Sequence, residues 1–233
     1  MSVFENSVVT CPVCQADVSH DVVHSVNADR RPDLRDAILD GTFQRAQCPG
    51  CGETFRLSPE FSYLDQRHRL WLAAFGAADL GGWAEAEREA QETFDGAFGA
   101  GASPAARGVG DGLTRRVTFG WPAVREKLLL REHGLDDVTV ELMKAAMLRE
   151  GGGGVPLNGE AELRVINVRG DILACAWLWV STEEVIRAME VPRAVYDGIA
   201  ADHGEWADLR ADLTPGFFLD LNRMLIPGAA SAG

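Results

Sequence analysis

Hydrophobic spacing, together with helix start and stop residues, predicts three helices in the middle of the chain. From position 83 to position 98, apolar residues recur at helical intervals with acidic residues between them, which is typical of an amphipathic helix. Pro122 and Gly134 mark the start and the stop of a second helix. Asp136 or Asp137 can cap a third helix, which runs to about Arg149. We expect the second and third helices to form a hairpin with the inner residues Leu128, Val138, Leu142 and Met143.

Strand patterns occur on both sides of these helices. Val18–Val26 alternates loosely, and Glu53–Leu57 is typical of a short strand. Residues 63–75 fit both helical and strand spacing, and we favour a strand. Leu163–Val168 and Ile172–Val180 flank an Arg-Gly-Asp turn. This arrangement predicts a β-hairpin whose second strand is apolar enough to be central in a sheet.

Glycine and proline predict where these elements end. Pro32 begins a short helix that Gly41 stops. The glycine-rich stretch 99–112 is expected to be an exposed loop or linker, and the four glycines at 151–154 predict a second break. Beyond this break we expect helices at about 183–188, 192–201 and 217–225. The chain therefore divides into three segments, residues 1–78, 79–150 and 151–233.

Composition narrows the class of protein. With 233 residues, 46% of them hydrophobic, the chain can bury the core of one large domain or of two modest ones. No stretch contains the ~18 uncharged apolar residues that a membrane helix needs, so we expect a soluble, cytoplasmic protein. The net charge of −13 argues against a nucleic-acid-binding surface, because phosphate binding depends on clustered Lys and Arg.

The strongest chemical signal is a pair of Cys-Pro-x-Cys tetrads. Cys11 and Cys14 belong to the first tetrad, and Cys48 and Cys51 belong to the second. Two intervening residues allow a tight turn to direct both sulfurs to one point, and the proline presets the backbone of that turn. Four thiolates complete a closed tetrahedron around Zn²⁺ and leave no position for water. The sequence predicts a structural zinc site with these four ligands.

The cysteines and two histidines also allow other assignments. A single C-x-x-C motif could be a thioredoxin-like redox pair, although such a motif lies at a helix start. Disulfides would need an oxidising compartment, and residues 1–20 lack the features of a signal peptide. His20 and His24 share one face of a strand and could also ligate a metal. Cys175 lies among apolar residues and is expected to be a buried, unreactive thiol.

The spacing of the tetrads also bears on the fold class. The interval from Cys14 to Cys48 exceeds the ~15–20 residues of the simplest double-knuckle pattern, so the N-terminal lobe must contain an inserted element. The helix that begins at Pro32 fills this interval. The predicted class is α+β, with a zinc-ribbon-like N-terminal lobe that contains an inserted helix, followed by a helical hairpin and a small α/β C-terminal lobe.

The tetrads and their surroundings resemble the CpXC domain family, which is named for the repeated Cys-Pro-x-Cys. The matching segments are TCPVC, ILDGTF, CPGCGETFRL and SYLDQRHRLWL. A second block, VTFGWPAVREKLLL and HGLDDVTVELMKAAM, resembles longer members, so the likeness covers roughly residues 10–150. The resemblance implies that Cys11, Cys14, Cys48 and Cys51 are the metal ligands and that the protein is bacterial. It implies no particular activity.

Three classes of function follow. We expect a non-enzymatic interaction or accessory protein with a protein partner, because no nucleophile–base pair or phosphate loop stands out. The first alternative is an enzyme with a structural zinc. Its support is weak, since the acidic pairs Asp136/Asp137 and Glu183/Glu184 are better explained as helix starts. The second alternative is a nucleic-acid-binding zinc ribbon, which the acidic charge disfavours. The sequence therefore assigns no catalytic or cofactor-binding residue.

Overall fold

The computed structural model of the chain describes residues 2–150 and 160–225 and shows a mixed α+β fold. The first elements are β1 (Val3–Thr10), β2 (Asp17–Asn27), α1 (Pro32–Asp40), β3 (Arg45–Gln47), β4 (Thr54–Arg56), β5 (Phe61–Asp65) and β6 (Leu70–Phe75). A 3-10 helix (Ala77–Gly82) leads into α2 (Trp83–Phe98), α3 (Pro104–Gly110), β7 (Thr114–Phe119), α4 (Gly120–Glu132) and α5 (Asp137–Arg149). The last elements are β8 (Ala161–Arg169), β9 (Ile172–Trp179), β10 (Val185–Pro192), α6 (Arg193–Ala201), α7 (Ala207–Leu213) and α8 (Asn222–Leu225).

The largest sheet has five strands in the order β1-β2-β5-β6-β7. The β1–β2 and β5–β6 pairs are antiparallel, whereas β2–β5 and β6–β7 are parallel. Parallel neighbours need a crossover connection, and helices lie in both crossovers of this sheet. α1 lies between β2 and β5, and α2 and α3 lie between β6 and β7. The inserted helix that the sequence predicts is therefore part of a sheet crossover.

β6 lies inside the molecule with both faces covered. Leu70 and Leu72 pack in the core formed with α1 and α4, whereas Trp71 and Ala73 pack in the core formed with α2. A strand buried on both faces has a continuous apolar run, which explains why the spacing in residues 63–75 was ambiguous. The strand prediction is confirmed, but the segment forms two strands, β5 and β6, with Arg69 at φ 52° in the turn between them.

α4 lies between two hydrophobic cores. Trp121 and Leu128 pack with the five-stranded sheet and α1, whereas Leu130 belongs to the core beneath the C-terminal sheet. The expected inner residues of the α4–α5 hairpin are all buried. However, Leu128 contributes to the first core, and Leu142 and Met143 contribute to the second. The helices are thus confirmed, but the expected inner residue Leu128 packs in a different core from Leu142 and Met143.

The C-terminal sheet is antiparallel and has β9 in its centre between β8 and β10. The predicted β8–β9 hairpin is confirmed, and Gly170 has φ 55° in its turn. The helix expected at 183–188 is wrong, because the chain enters β10 at Val185 and pairs with β9. The misleading signal was the acidic pair Glu183/Glu184, which is typical of a helix start.

The glycine-rich stretch 99–112 contains α3, so the expectation of a loop is wrong for these residues. Ser103 Oγ accepts a hydrogen bond from the Ala106 amide at 3.2 Å, and Pro104 lies in the first helical turn. A Cβ at Gly110 would lie 2.6 Å from the Phe98 Cβ. The small residues here therefore allow α3 to approach α2 closely.

Residues 217–219 are neither helix nor strand and form the C-terminal strap, which packs against α2 and β7 through Phe217 and Phe218. Oε1 of Glu87 accepts hydrogen bonds from the amides of Phe217 and Phe218. The Val117 amide donates to the Phe217 carbonyl at 2.9 Å. The helix expected at 217–225 is therefore restricted to α8, because the backbone of the strap is bonded to other elements.

Two expectations concern the limits of the segments. The break expected at Gly151–Gly154 lies outside the described residues. The division into residues 1–78, 79–150 and 151–233 stays a prediction, although the strap, which belongs to the third segment, packs in the core of the second. In the part of the chain that the structure describes, no helix is long and apolar enough to cross a membrane.

Candidate metal centre

Two hairpin turns carry the four cysteines. The turn between β1 and β2 contains Cys11 and Cys14, and the turn between β3 and β4 contains Cys48 and Cys51. The side-chain amide of Gln44, just before β3, donates a hydrogen bond to the Val23 carbonyl of β2 at 3.3 Å. This contact helps to hold the second hairpin beside the first.

The two turns have corresponding backbone geometry. The Gln15 amide donates to the Cys11 carbonyl at 3.0 Å, and the Gly52 amide donates to the Cys48 carbonyl at 2.9 Å. Gln15 and Gly52 both have left-handed backbone, with φ of 60° and 77°. In each turn this left-handed residue follows the second cysteine, so the chain reverses directly behind the sulfur pair.

The four sulfur atoms converge on one point. All four lie within 4.8 Å of one another, and the Sγ–Sγ distances are 3.7 Å for Cys11–Cys51 and 3.5 Å for Cys14–Cys48. These distances exceed the ~2.05 Å of a disulfide bond. They match the edge of about 3.8 Å of a tetrahedron whose metal–sulfur bonds are ~2.3 Å long. The donor set therefore fits one metal ion bound by four thiolates.

The environment of the sulfurs is uneven. Cys11 and Cys48 are buried, whereas Cys14 and Cys51 are exposed. Hydrogen bonds from the backbone amides of Cys51 and Gly50 hold the pKa of the Cys48 thiol at about 7. The Glu53 amide lowers the pKa of Cys51, but the bond with the Cys14 thiol and burial outweigh it and raise this pKa to about 12. A divalent cation bound at this site would favour the thiolate form of its ligands.

The hydrophobic core beneath the site is small. Its buried members are Cys11, Val18, Ala46 and Cys48, and its partly buried members are Val9, Ala16 and Phe55. A core of this size contributes little stability by itself, which is the usual situation in metal-stabilised lobes.

The other candidate residues lie away from the four sulfurs. Nε2 of His24 lies 3.3 Å from a carboxylate oxygen of Glu5, and neither His20 nor His24 belongs to the cysteine cluster. Cys175 is buried in β9, and burial raises its pKa to about 12, which keeps this thiol unreactive. Within residues 2–150 and 160–225, no second cluster of His, Cys, Asp or Glu side chains has ligand geometry.

Sequence reasoning missed two groups of charged residues. Glu183 does not begin a helix; its carboxylate bridges Arg56 and Arg125. These partners lie 127 and 58 residues away along the chain, so no local pattern indicates the contact. The second group is a set of buried ion pairs between α4, α5, β8 and the residue that follows the strap, and its members are Glu126, Glu141, Lys144, Glu162, Arg164 and Asp220.

Comparison with known proteins identifies the family. The family model described as "CpXC protein" matches residues 9–144, which is more than half of the chain. The match contains both cysteine pairs, the five-stranded sheet from Val9 onward and all of α4. Neither the curated proteins nor the solved structures include a match to this chain. On the strength of the family match, the chain belongs to the CpXC family.

Proposed function

We propose that Cys11, Cys14, Cys48 and Cys51 hold one structural Zn²⁺ and that the protein is a non-enzymatic accessory protein that binds a protein partner. The convergence of four thiol sulfurs within 4.8 Å carries the metal part of this proposal. Four sulfur ligands at tetrahedral spacing favour Zn²⁺ over the hard cations, which prefer oxygen. Four protein ligands leave no position for a reacting water.

Zinc would give the N-terminal hairpins a defined shape. The ion would tie the tip of the β1–β2 hairpin to the tip of the β3–β4 hairpin, as in a zinc ribbon. A redox role is less consistent with the geometry, because both cysteine pairs lie in hairpin turns and not at a helix N-terminus. A reducing, cytoplasmic setting would keep the thiols available as ligands.

Metal analysis of the purified protein tests the zinc site. We expect one zinc per chain in the wild type and in Cys175→Ala, and a near-complete loss in Cys48→Ser. Cys175→Ala is the matched control, since it removes a buried thiol outside the cluster. A zinc-free wild type, or unchanged zinc in Cys48→Ser, would contradict the proposal.

The proposed partner surface is the outer edge of β1. β1 lies at the edge of the five-stranded sheet, and among the described strands it pairs only with β2. It presents large apolar side chains to solvent, with Val8 69% and Phe4 46% exposed, and Val13 in the neighbouring turn is also exposed. A long edge strand with uncovered apolar side chains is a template for pairing with another strand. We therefore expect the partner to contribute an extended segment with apolar side chains.

α1 is a weaker candidate for the partner surface, although it lies between the two hairpins in sequence. The Arg35 side chain is only 15% exposed and donates to Glu132 of α4 at 2.9 Å. Its Nε lies 3.9 Å from Asp65. Substitution of Arg35 would thus disturb packing inside the protein, whereas substitutions on β1 change an open surface.

Partner capture tests the β1 surface. The chain with zinc bound would be purified from its natural host with whatever co-elutes, as wild type, as Val8→Lys and as Val195→Lys. A charge at an edge strand opposes pairing, so we expect Val8→Lys to lose a partner that the other two retain. Val195→Lys is the control, because it places the same charge at an exposed valine of α6. Equal recovery of the partner in all three proteins would contradict this surface, and sedimentation shows whether the partner is a second copy of the chain.

A second candidate is an enzyme, and one contact favours it. Nδ1 of His68 lies 2.8 Å from Oδ2 of the buried Asp65, an arrangement that orients an imidazole for proton transfer. Tyr63 donates to the same oxygen at 3.0 Å. A turnover that is found in an activity screen and lost in His68→Gln, with zinc content unchanged, would favour this candidate over the accessory protein.

A further inference from the structure

A polar cavity of about 410 Å³ lies where the β3–β4 hairpin, the N-terminus of α4 and the turn between β9 and β10 meet. Its walls include three guanidinium groups and three hydroxyl groups, from Arg45, Arg56, Arg125, Ser58, Ser181 and Thr182. The chain as a whole carries a net charge of −13, so a local cluster of positive charge is not expected from its composition.

One carboxylate of the chain already lies among these arginines. Oε1 of Glu183 accepts a hydrogen bond from Arg56, and Oε2 accepts one from Arg125 at 2.6 Å. A Cβ at Gly41 would lie 3.4 Å from Nη1 of Arg125 and 3.5 Å from Nη1 of Arg56, so the two guanidinium groups converge beside this glycine. Glu183 itself has φ 60°, which a glutamate rarely adopts. The cavity thus already holds one oxyanion, the carboxylate of Glu183, which comes from the turn between β9 and β10.

The cations nevertheless outnumber the available carboxylates. Arg45 donates to the Gly41 carbonyl at 2.7 Å and forms no ion pair with a carboxylate of the described residues. Glu162 also lines the cavity, but its carboxylate binds Arg164 at 2.5 Å. The lining thus has three guanidinium groups and two carboxylates, those of Glu183 and Glu162, which leaves an excess of one positive charge. Displacement of Glu183 would raise this excess to two.

Two further features are consistent with an excess of positive charge in the cavity. Burial, together with repulsion from Arg56, lowers the pKa of Arg125 in spite of the neighbouring Glu183 carboxylate. The first turn of α4 opens onto the cavity through Gly120 and Trp121, and no side chain caps this helix end. The amides at a helix start favour an anion, although Pro122 in this first turn has no N–H to donate.

We propose that this cavity binds the phosphate group of a small molecule, with Glu183 as the internal competitor that it displaces. A phosphate monoester carries close to two negative charges at neutral pH and three acceptor oxygens, which matches the charge excess and the surrounding donors. A carboxylate carries one charge, and Glu183 already provides one. The volume of about 410 Å³ has room for a phosphate together with a small organic group.

Calorimetric titration of the full chain with zinc bound tests the proposal. The probes are inorganic phosphate, phenyl phosphate and benzoate at constant ionic strength, and benzoate retains the ring but replaces phosphate by carboxylate. We expect phenyl phosphate to bind more tightly than benzoate. Binding of phenyl phosphate above that of inorganic phosphate identifies an ester as the ligand, and equal binding identifies phosphate itself. Failure of both phosphates to bind, or benzoate binding equal to that of phenyl phosphate, would overturn the proposal.

Three variants test whether phosphate binds in this cavity. Arg45→Met should weaken phosphate binding about tenfold, since it removes one charge-assisted hydrogen-bond donor. Arg45→Lys should retain part of the affinity because it keeps the charge. Glu183→Gln should bind phosphate more tightly than the wild type, because the competing negative charge is gone while the side-chain shape remains.

The control is Arg169→Met, which removes an arginine at the opposite end of the β8–β9 hairpin. We expect it to bind phosphate like the wild type, and circular dichroism and zinc content verify that each variant is folded. Equal weakening by Arg45→Met and Arg169→Met would show that only overall charge matters. That result, or weaker binding by a folded Glu183→Gln, would contradict the assignment of this cavity.

Discussion

Gln15 and Gly52 have the same left-handed conformation in the two cysteine turns, although only one of them is a glycine. A residue with a side chain avoids this conformation at a cost of roughly 1–2 kcal/mol, whereas glycine adopts it freely. The glycines of the second tetrad suggested a tight turn from sequence, but Gln15 gave no such signal. The local sequence thus predicted which residues are the sulfur ligands, but it did not predict the backbone conformation of the turn at Gln15.

Substitution of Gly52 tests the importance of this conformation. A Cβ at Gly52 would meet no atom within 4 Å, so the effect of Gly52→Val comes from the backbone alone. We expect Gly52→Val to lower the free energy of unfolding by about 1–2 kcal/mol in urea titrations of the zinc-bound protein. Gly101→Val is the control, because Gly101 also has open surroundings and lacks a left-handed φ. Equal losses in the two variants would mean that the turn geometry does not matter.

The four cysteines and the Glu183 contact show which residues a sequence can assign. Each cysteine pair is local, and the two pairs are identical in type, so the sequence alone indicated all four sulfurs. The role of Glu183 depends on Arg56 and Arg125, which come from β4 and α4. No periodicity or spacing within one element indicates such a contact, and the acidic pair instead suggested a helix start.

At the scale of elements, local sequence identified α2 by its periodicity, α4 and α5 by their start and stop residues, and the β8–β9 hairpin by a turn between two apolar runs. It failed at α3 and at β10, where tertiary contacts decide the structure. α3 packs on α2 through Gly110, and β10 pairs with β9 along most of its length. The C-terminal strap is a third example, since its backbone amides bind the Glu87 carboxylate of α2 and not a local helical acceptor.

The strap provides a prediction at this scale. Gly216 has φ 81°, and a Cβ there would overlap the Glu87 carboxylate that accepts the amides of Phe217 and Phe218. We expect Gly216→Ala to lower the free energy of unfolding by about 2 kcal/mol, from the left-handed backbone and the displaced carboxylate. Hydrogen exchange of the two phenylalanine amides should become faster.

Gly96→Ala is the matched control for the strap. Gly96 lies on α2, as Glu87 does, and a Cβ at this position meets no atom within 4 Å. Alanine favours a helix interior over glycine, so this variant should be as stable as the wild type or more stable by up to about 1 kcal/mol. Unchanged exchange at Phe217 and Phe218 in Gly216→Ala would show that Glu87 does not hold the strap.

At the scale of the whole molecule, buried ion pairs join elements that are distant along the chain. Nζ of Lys144 on α5 lies 2.8 Å from carboxylate oxygens of Glu126 on α4 and Glu141 on α5. Arg164 of β8 binds Glu126 at 3.1 Å and Asp220, next to the strap, at 2.6 Å. Sequence patterns place charged residues at the surface, so this arrangement could not be predicted. It fixes where α4, α5, β8 and the strap meet.

Removal of one cation from this set should be costly. Lys144→Met leaves the carboxylates of Glu126 and Glu141 buried without their shared partner, and we expect a loss of about 3–5 kcal/mol in the free energy of unfolding. Arg149→Met is the control on the same helix, because Arg149 is largely exposed and its ion pair with Glu205 is long, at 3.9 Å. It should change stability by less than about 1 kcal/mol. Similar losses in both variants would mean that burial of the pair is not the cause.

Asp137 links the stability of the whole molecule to pH. Its buried carboxylate binds Arg116 through two hydrogen bonds of 2.6 and 2.9 Å and lies 3.2 Å from Nζ of Lys127. Burial opposes the charge, but Lys127 and Arg116 hold the pKa of Asp137 well below its usual value of 3.8. A folded-state pKa below the unfolded value means that the stabilisation is present above the unfolded pKa and is lost as the pH falls toward the folded pKa.

The comparison of wild type with Asp137→Asn isolates this contribution. The difference in their free energy of unfolding should be largest near about pH 6 and should shrink as the pH falls below about 4, because the unfolded Asp137 is then protonated. Both proteins keep the same four cysteines and lose metal in acid alike, so zinc release cancels in the difference. The raised pKa of Glu162, which burial causes, has the opposite sign but is also common to both proteins. Urea titrations at several pH values provide the measurement, and a difference that stays constant from about pH 6 to about pH 3 would contradict the role of Asp137 in the acid stability of the fold.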